Sequence, residues 1–341
     1  MKTLNKILFF ILVLLLITTV VIGLGIFFQN TYPKITINGS DTSTTTVEIE
    51  FPFKDDIVQG EITISLAPYN GAKVNGTKTS HTYGDAWDAE KYYLAISNDP
   101  AQNEMYAALL GFFDDYAIKH DLTSDEYVEL LSTYAQSIPY QTAELEVKFP
   151  IETVVDDWGD CDDTSVLLAG LLSRKGYDTG VVNFGNENHM TAAIKSGNET
   201  AYGNTGYSII ETTRYAYIGE ISDLIRNETS TGNFSFYRIG EGQKSYTASY
   251  EVRKILDARE QAYVTIQTLY DELSMQLAVI EEQEALLRYS WNMTLYREYE
   301  QNIDTYNDGI TTRDEYIGLI NTISSGSYDR EEVYQTVISM M

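Results

Sequence analysis

Cysteine is almost missing from this sequence, in which Cys161 is the only example. A single cysteine excludes an intrachain disulfide, and it also excludes a zinc site built from several thiolates. Histidine is scarce as well, because the chain has only His81, His120 and His189. Chemistry that needs a thiol or an imidazole must therefore use these four positions.

Basic residues are few relative to acidic residues. The chain has 23 Lys and Arg against 50 Asp and Glu, which gives a net charge of −27. A field of this sign repels phosphate backbones, so we exclude nucleic acid as a partner. No motif indicates a cofactor, and we expect none. The 341 residues are enough for one large domain or for two smaller ones.

Charged residues are absent from 7–28, a run of 22 residues that is mostly apolar. A helix of this length crosses the roughly 30 Å hydrocarbon core of a bilayer. The run predicts a transmembrane anchor over 7–28, and the alternative is a signal peptide cleaved near the small residues at 23–25. Lys2 and Lys6 then place residues 1–6 in the cytoplasm, and we expect a single-pass membrane protein whose remaining chain is extracytoplasmic.

The sequence also contains triplets of the type Asn-x-Ser/Thr, which accept N-linked sugars in secreted proteins. They agree with an external location, and the protein would then be a glycoprotein. The triplets begin at Asn38, Asn75, Asn198, Asn227, Asn233 and Asn292.

A polar stretch over 29–46 is typical of a linker. After it, residues 47–51 and 61–66 alternate apolar and polar side chains, which predicts two half-buried strands. We assign 47–99 as a β-rich segment, which is either a small module of its own or the leading edge of the next domain.

Helical periodicity begins after Asp99-Pro100. Apolar residues recur at helical spacing over 104–119. Thr123 then has the character of an N-cap, because Glu126 follows three residues later as in a capping box. The helix that it opens should end near Ser137, before the Ile138-Pro139 pair.

Cys161 stands at the start of another predicted helix, since an apolar helical pattern follows it over 166–171. A thiol in this position is near the positive end of the helix dipole and near unpaired backbone N–H groups, which favour the thiolate. Asp160, Asp162 and Asp163 act in the opposite sense, because adjacent carboxylates raise the pKa of a thiol. We expect Asp162 and Asp163 to serve helix initiation or structural partners and not catalysis.

Thiol chemistry at a carbonyl also needs an imidazole. His81 lies in a polar loop and His120 ends a charged helix, so we interpret both as surface residues. His189 leads into a strand-like run over 190–194, and a preceding strand at 177–184 returns from the Cys161 helix. This order brings His189 back towards the level of Cys161.

A third group must orient the imidazole. Residues 207–210 form the next apolar strand, and Glu211 stands at its end. A carboxylate there can accept an N–H of His189 and hold the ring. Cys161, His189 and Glu211 are therefore the candidate catalytic residues.

The local context of these residues resembles the transglutaminase-like superfamily, of the membrane-anchored type found in archaea. The likeness covers roughly 100–225. The stretches that carry it are Gln136–Tyr140, Phe149–Thr153, Gly159–Asp163, Asn188–Met190, Ile210–Thr213 and Ile218–Ile221.

The resemblance implies a papain-like α+β fold over 100–245, with the cysteine on a helix N-terminus and the histidine and acid on adjacent antiparallel strands. By position, Cys161 becomes the nucleophile, His189 the general base and acid, and Glu211 the orienting acid. Many members have Asp at the third position, but Glu still reaches the ring. The Cys161 N–H is the natural oxyanion donor, with Tyr140 or Trp158 as a side-chain candidate.

We expect such a protein to hydrolyse peptide or isopeptide bonds of a protein or peptide substrate, for example at the cell surface. The same thioester would also allow protein cross-linking by an amine, and a small-molecule amidase remains open. The alternative from another class is a non-catalytic surface scaffold that binds through its C-terminal helices.

Residues 250–341 predict a helical or coiled-coil region, because 250–302 lack proline and glycine and carry apolar residues every three or four positions. The pattern predicts a long amphipathic helix or coiled-coil arm, either continuous or interrupted near 281–285, and a short helix at 313–323. The apolar stripe needs a partner, either in the catalytic domain, in the short helix or in a second copy of the chain.

Residues 304–315 lie between these predicted helices and are similar to an EF-hand loop. Asp304, Asp308 and Glu315 occupy positions one, five and twelve. Tyr306 occupies position three, where an oxygen ligand is needed, so we favour an ordinary helix–turn–helix connection without metal.

Overall fold

The computed structural model describes residues 11–19, 32–75, 78, 88–142, 146–326 and 328–340. It has an α+β fold with two small sheets. Two short 3-10 helices, Pro100–Gln102 and Tyr202–Asn204, supplement the main elements. In chain order the main elements are β1 (Thr44–Phe53), β2 (Asp56–Ser65), α1 (Leu66–Asn75), α2 (Ala89–Ser97), α3 (Asn103–Lys119), α4 (Ser124–Ser137), α5 (Pro150–Asp156), α6 (Cys161–Arg174), β3 (Asp178–Phe184), β4 (His189–Lys195), β5 (Tyr207–Ile210), α7 (Arg226–Thr231), β6 (Ser235–Glu241), α8 (Ser249–Tyr289), α9 (Met293–Ser325) and α10 (Arg330–Met340).

The expected transmembrane helix at the N-terminus is wrong as an element of this fold. Within the described ranges, no helix has both the length and the apolar character needed to cross a bilayer. Residues 11–19 are helical. The remainder of the predicted span, 7–10 and 20–28, lies outside the described residues.

The two strands expected near the N-terminus are confirmed, and they pair with each other. β1 and β2 form an antiparallel hairpin in which Val47 faces Ile62 and Phe51 faces Val58. These apolar side chains are buried, whereas their neighbours along each strand are largely exposed. The hairpin therefore adds its apolar face to the main hydrophobic core.

The helices expected around 104–119 and 124–137 are confirmed as α3 and α4. At the start of α4, Thr123 Oγ1 accepts the Glu126 N–H at 3.2 Å, and Glu126 Oε2 accepts the Thr123 N–H at 2.7 Å. This is the predicted capping box. It fixes where α4 begins, and therefore which of its residues face the core.

The larger sheet is antiparallel throughout, in the order β5-β4-β3-β6. Both faces of this sheet are covered, because successive residues along a strand point to opposite faces and belong to two different hydrophobic clusters. Val181 and Ala192 join the main core, while Val182 and Ala193 join a smaller cluster with Tyr202. A strand that is apolar on both faces has no solvated side, which explains its continuous apolar run.

Helix α6 is the central helix of the main core. All eleven residues that the helix buries lie between Cys161 and Leu172. Gly170 lets α6 lie against Tyr106 of α3, since a Cβ at this glycine would collide with the tyrosine hydroxyl. The helix that begins with Cys161 is therefore fixed in position by packing along its whole length.

The C-terminal helices depart from the prediction. α8 runs without a break from Ser249 to Tyr289, so of the two alternatives the uninterrupted helix through 281–285 is the one present. The chain reverses at 290–292, and α9 returns along α8 as an antiparallel partner. The apolar stripe of α8 thus has its partners within this chain, in the main core and in α9.

Residues 304–315 lie inside α9, so neither an EF-hand loop nor a helix–turn–helix connection exists there. Gly309, which occupies position six of the EF-hand pattern, faces Leu273 of α8, where a Cβ would lie 2.9 Å from the leucine side chain. Asn302 Nδ2 donates to Gln283 Oε1 at 2.9 Å across the same helix pair. Helix packing therefore overrides the local turn signal.

Candidate active site

The first turn of α6 shows how the sequence places Cys161. Asp160 is the N-cap, and its carboxylate accepts the amide protons of Asp162 and Asp163 at 3.1 and 3.3 Å. In turn, the Asp163 carboxylate accepts a hydrogen bond from the Asp160 N–H at 3.2 Å. Two of the three acidic residues therefore form a capping box, and the helix begins with the cysteine.

The Cys161 sulfur lies in a nearly closed environment, with the residue only 7% exposed. Burial raises the pKa of the thiol to about 12, with a further contribution from the Asp162 carboxylate, whose Oδ1 lies 3.5 Å from Sγ. The Met190 backbone acts in the other direction and lowers the pKa of the thiol. At neutral pH the resting group is therefore a neutral thiol.

Met190 directly follows His189, which is the first residue of β4. The ring nitrogen Nε2 of His189 lies 3.0 Å from Glu211 Oε2. Burial raises the pKa of Asp162 and is the larger influence on it. The charge of His189 acts on the same carboxyl in the opposite direction. The imidazole thus contacts the acid at the end of β5 and is near enough to the first turn of α6 to affect Asp162.

Glu211 is 3% exposed, and its second carboxylate oxygen is fully used. Oε1 accepts the backbone N–H groups of Thr212 and Thr213 at 3.0 and 3.1 Å, and the Thr213 hydroxyl at 2.8 Å. Burial raises the pKa of this carboxyl, but the contact with His189 and the Thr213 hydrogen bonds outweigh burial and lower it to about 2. Glu211 is therefore ionised and fixed in orientation.

Buried hydroxyl groups tie the helix to the strand ends. Thr164 Oγ1 donates to Thr212 Oγ1 at 2.9 Å, and Ser165 Oγ lies 3.1 Å from the same oxygen. Ser165 Oγ also lies 3.4 Å from the Met190 carbonyl oxygen, to which it donates. The residues that carry the thiol, the imidazole and the acid are thereby held together by contacts between their immediate neighbours.

Gln136 is a residue of this region to which the sequence reasoning gave no role. Its Nε2 donates to the carbonyl oxygens of Glu211 and Ala216, at 2.9 and 3.0 Å. The residue is buried at the last turn of α4, on a face that also carries Glu129 and Thr133. A run of polar residues on a buried helix face is the signal that indicates it.

The two side-chain candidates for the oxyanion hole lie in different surroundings. The Tyr140 segment is fixed against Gly159, because the Gly159 N–H donates to the Pro139 carbonyl at 3.2 Å. Tyr140 is 53% exposed, and burial together with the charge of Cys161 raises the pKa of its hydroxyl. Tyr140 therefore lies within electrostatic range of the sulfur.

Trp158, in contrast, packs against a buried lysine. Lys148 Nζ lies 2.8 Å from the centroid of the indole ring and donates to the Trp158 carbonyl at 3.0 Å. The Lys148 backbone N–H donates to Asp163 Oδ1 at 2.7 Å. These contacts connect the loop before Cys161 to the capping box of α6.

At the start of α6, the backbone N–H of Cys161 is available as a hydrogen-bond donor to an oxyanion. The Asp160 carboxylate and carbonyl accept the N–H groups of residues 162–164. Across the residues described by the structure, none accepts the Cys161 N–H, which is the first amide of the helix. This amide points from the positive end of the dipole, so it is the natural donor to a developing oxyanion.

His120, the other histidine described here, takes no part in this site. Its ring stacks on Tyr116, with 4.1 Å between the ring centroids. His81 lies outside the described residues. The structure therefore brings His189 into contact with Glu211, whereas His120 contacts Tyr116.

Among the described residues, two groups of side chains have atoms close enough to hold a metal ion. They are Asp160, Cys161 and Asp162 at the helix start, and Asp55, Asp329 and Glu332 near the turn of the β1–β2 hairpin. In the first group the Asp160 carboxylate already caps α6. Asp304, Asp308 and Glu315, the EF-hand candidates, lie along α9.

Comparison with known proteins gives no relative. No family model, no curated protein and no solved structure matches the chain. The likeness to the transglutaminase-like superfamily therefore depends on the sequence stretches named above.

Proposed function

We propose that this protein is a thiol hydrolase that cleaves peptide or isopeptide bonds through Cys161, His189 and Glu211. The observation that carries the proposal is the 3.0 Å contact between His189 Nε2 and Glu211 Oε2, on a strand whose next residue, Met190, lowers the pKa of Cys161 through its backbone. Because Nε2 is engaged by the acid, Nδ1 is the ring nitrogen that exchanges a proton with the thiol.

The first half-reaction forms a thioester. Cys161 Sγ attacks the carbonyl carbon of the substrate while its proton passes to His189 Nδ1. The Cys161 N–H stabilises the resulting oxyanion. When the carbon–nitrogen bond breaks, the proton on His189 passes to the leaving amine, and Glu211 stabilises the imidazolium in between.

The second half-reaction restores the enzyme. His189 takes a proton from water, the hydroxide oxygen attacks the thioester carbon, and the carbon–sulfur bond breaks. The sulfur recovers its proton from His189, and the acid product leaves. The raised pKa of Cys161 makes His189 essential in the first step, because the thiol must lose its proton during the attack.

The direct test is acylation of the full chain by p-nitrophenyl acetate. We expect a burst of p-nitrophenolate equal to about one per chain, and an acetyl group on Cys161 detected by mass spectrometry. Cys161→Ala should abolish the burst. His189→Ala should slow it by about 100-fold or more, because general acid–base catalysis contributes this much.

The matched control is His120→Ala, since this ring stacks on Tyr116 apart from the site. It should leave the burst unchanged. If the wild-type chain shows no burst above Cys161→Ala, or if His189→Ala behaves like His120→Ala, the enzyme proposal fails and the alternative of a non-catalytic scaffold is favoured.

A second candidate is transfer of the acyl group to an amine, which would cross-link proteins. The observation that favours it is the Asp162 carboxylate, 3.5 Å from the Cys161 sulfur, which attracts an ammonium. His189 then takes a proton from this ammonium, and the amine nitrogen attacks the thioester carbon as the carbon–sulfur bond breaks. A fluorescent primary amine should then replace water and label an acyl donor protein. Labelling that Asp162→Asn removes, while the burst persists, would support transfer; no labelling would leave hydrolysis.

A further inference from the structure

The loop that follows Glu211 is attached to the C-terminal helices. Glu220 is 7% exposed. Its Oε1 accepts hydrogen bonds from Nη2 of Arg214 at 3.2 Å and from Nη2 of Arg259 at 3.1 Å. Arg259 belongs to α8, whereas Arg214 belongs to the loop itself. Glu220 Oε2 also accepts the Tyr217 N–H at 3.3 Å. A buried carboxylate thus connects the acid-bearing loop to a distant helix.

Tyr217 makes a second attachment to these helices. Its buried hydroxyl donates to the Ile323 carbonyl oxygen near the end of α9, at 2.8 Å. The other side of the loop is fixed to the sheet, because the Gly219 N–H donates to the Ile209 carbonyl at 2.7 Å. Gly219 has φ +95°, a conformation that favours glycine. The loop is therefore held between β5 and the C-terminal helices.

A separate route reaches Glu211 through α4. Arg330, the first residue of α10, donates from Nε to Glu129 Oε1 at 2.6 Å, and the Tyr246 hydroxyl donates to the same oxygen at 2.7 Å. Gln136 lies about two turns further along the same face of α4 and donates to the Glu211 carbonyl oxygen. The C-terminal helices therefore contact both the loop that follows Glu211 and helix α4, whose Gln136 binds the Glu211 backbone.

We propose that the C-terminal helices position the acid of the triad, and that Arg259 is a positioning residue which acts through Glu220. This inference rests on the proposed function, since it concerns the same Cys161–His189–Glu211 site. Loss of Arg259 leaves Glu220 with Arg214, whose side chain is 45% exposed, as its one remaining arginine partner among the described residues. A buried carboxylate that loses a partner is destabilised, so the loop and the backbone of Glu211 shift relative to His189.

The test compares Arg259→Met with Arg253→Met, a matched variant on the same helix. Arg253 pairs with Asp257 on the exposed side of α8, away from the loop. We expect Arg259→Met to slow the p-nitrophenyl acetate burst by about 10- to 100-fold, the scale of a small misplacement of a catalytic group. Arg253→Met should leave it unchanged, and Arg259→Lys should recover part of the rate.

A double-mutant cycle separates positioning from general loss of structure. If Arg259 acts through Glu211, Arg259→Met should add almost nothing in a Glu211→Gln background. Additive losses would overturn the inference, as would equal rates for Arg259→Met and Arg253→Met. If Arg259→Met fails to fold, Arg259→Lys and Glu220→Gln are measured against the same control, and unchanged rates in both overturn it.

The two proposals fail in different ways. The absence of a His189-dependent burst in the wild-type chain removes the enzyme proposal, and the positioning role goes with it. A normal wild-type burst that depends on His189 but not on Arg259 removes the positioning role alone.

Discussion

Nε2 of His189 lies 3.0 Å from Oε2 of Glu211, while the other oxygen of the same carboxylate is bound by Thr212 and Thr213. The acid therefore cannot rotate away from the ring without losing contacts to its own chain. This arrangement fixes which ring nitrogen faces the acid, and it links the ionisation of Glu211 to the stability of the fold.

The first prediction concerns stability at low pH. Because His189 and Thr213 outweigh burial, the pKa of Glu211 is lowered from 4.5 to about 2. A lowered carboxyl pKa stabilises the fold above the unfolded value, and the effect disappears as pH falls towards about 2. The shift corresponds to on the order of 3 kcal/mol. Glu211→Gln should therefore melt well below wild type at pH 7, with a difference that narrows as pH falls from about 5 to 2.

The control for this measurement is Glu104→Gln, which replaces an exposed carboxylate in the first turn of α3. Its melting temperature should follow that of wild type across the pH range. A melting difference for Glu211→Gln that is the same at pH 7 and near pH 2 would contradict the assigned ion pair.

The second prediction concerns the thiol. Burial is the main reason for the raised pKa of Cys161, and the Asp162 carboxylate is the next. Asp162→Asn should lower the thiol pKa and increase alkylation by iodoacetamide at pH 8 by about 3- to 10-fold, because the thiolate is the reacting form. Rates measured across pH check the result.

Asp157→Asn provides the matched control. Asp157 lies in the loop before α6 with φ +57°, a conformation that Asn also accepts. It should react like wild type. Equal acceleration in both variants would show a general effect of charge, and no acceleration in either would show that Asp162 does not hold the thiol in its neutral form.

The third prediction concerns the hydroxyl cluster between α6 and the end of β5. Thr212→Val keeps the shape of the side chain but leaves Thr164 Oγ1 and Ser165 Oγ without this partner. Both hydroxyls keep a carbonyl acceptor, Asp160 O for Thr164 and Met190 O for Ser165. The change should therefore lower the free energy of unfolding, measured with urea, by about 0.5–1.5 kcal/mol for each hydrogen bond lost. Thr265→Val on exposed α8, where the hydroxyl bonds only to Gln261 O, should have little effect.

The elements that carry the candidate site could be predicted from the sequence because each is marked locally. Asp160 and Asp163 mark a helix start, and the apolar runs around His189 and Glu211 mark strands. The contacts between those elements could not be predicted. Gln136 reaches the Glu211 carbonyl across 75 residues, and no local pattern specifies a partner so distant.

The C-terminal region shows the opposite case, in which a strong local signal is overridden. Asp304, Asp308 and Gly309 have the composition of a turn, yet they lie within α9. Packing of α9 on α8 stabilises the helix through this stretch, and Gly309 contributes a close approach to Leu273. Local helix propensity decides little when a helix can pack along a long partner helix, as α9 does on α8.

The last prediction uses two helical glycines that differ only in their surroundings. Gly170 lies in α6 against Tyr106 and Ser97, and a Cβ would meet both side chains. Gly111 lies in α3, where a Cβ would meet nothing within 4 Å. Gly111→Ala should therefore stabilise the protein by about 0.5–1 kcal/mol, the difference in helix propensity.

Gly170→Ala gains the same propensity but crowds a close-packed interior, which typically costs about 1–3 kcal/mol. Because α6 carries Cys161 at its start, this change should also slow the acylation burst, whereas Gly111→Ala should leave it intact. Urea unfolding of both variants gives the sign of each effect. Stabilisation by Gly170→Ala would mean that α6 lies less tightly against α3 than the contacts with Tyr106 and Ser97 require.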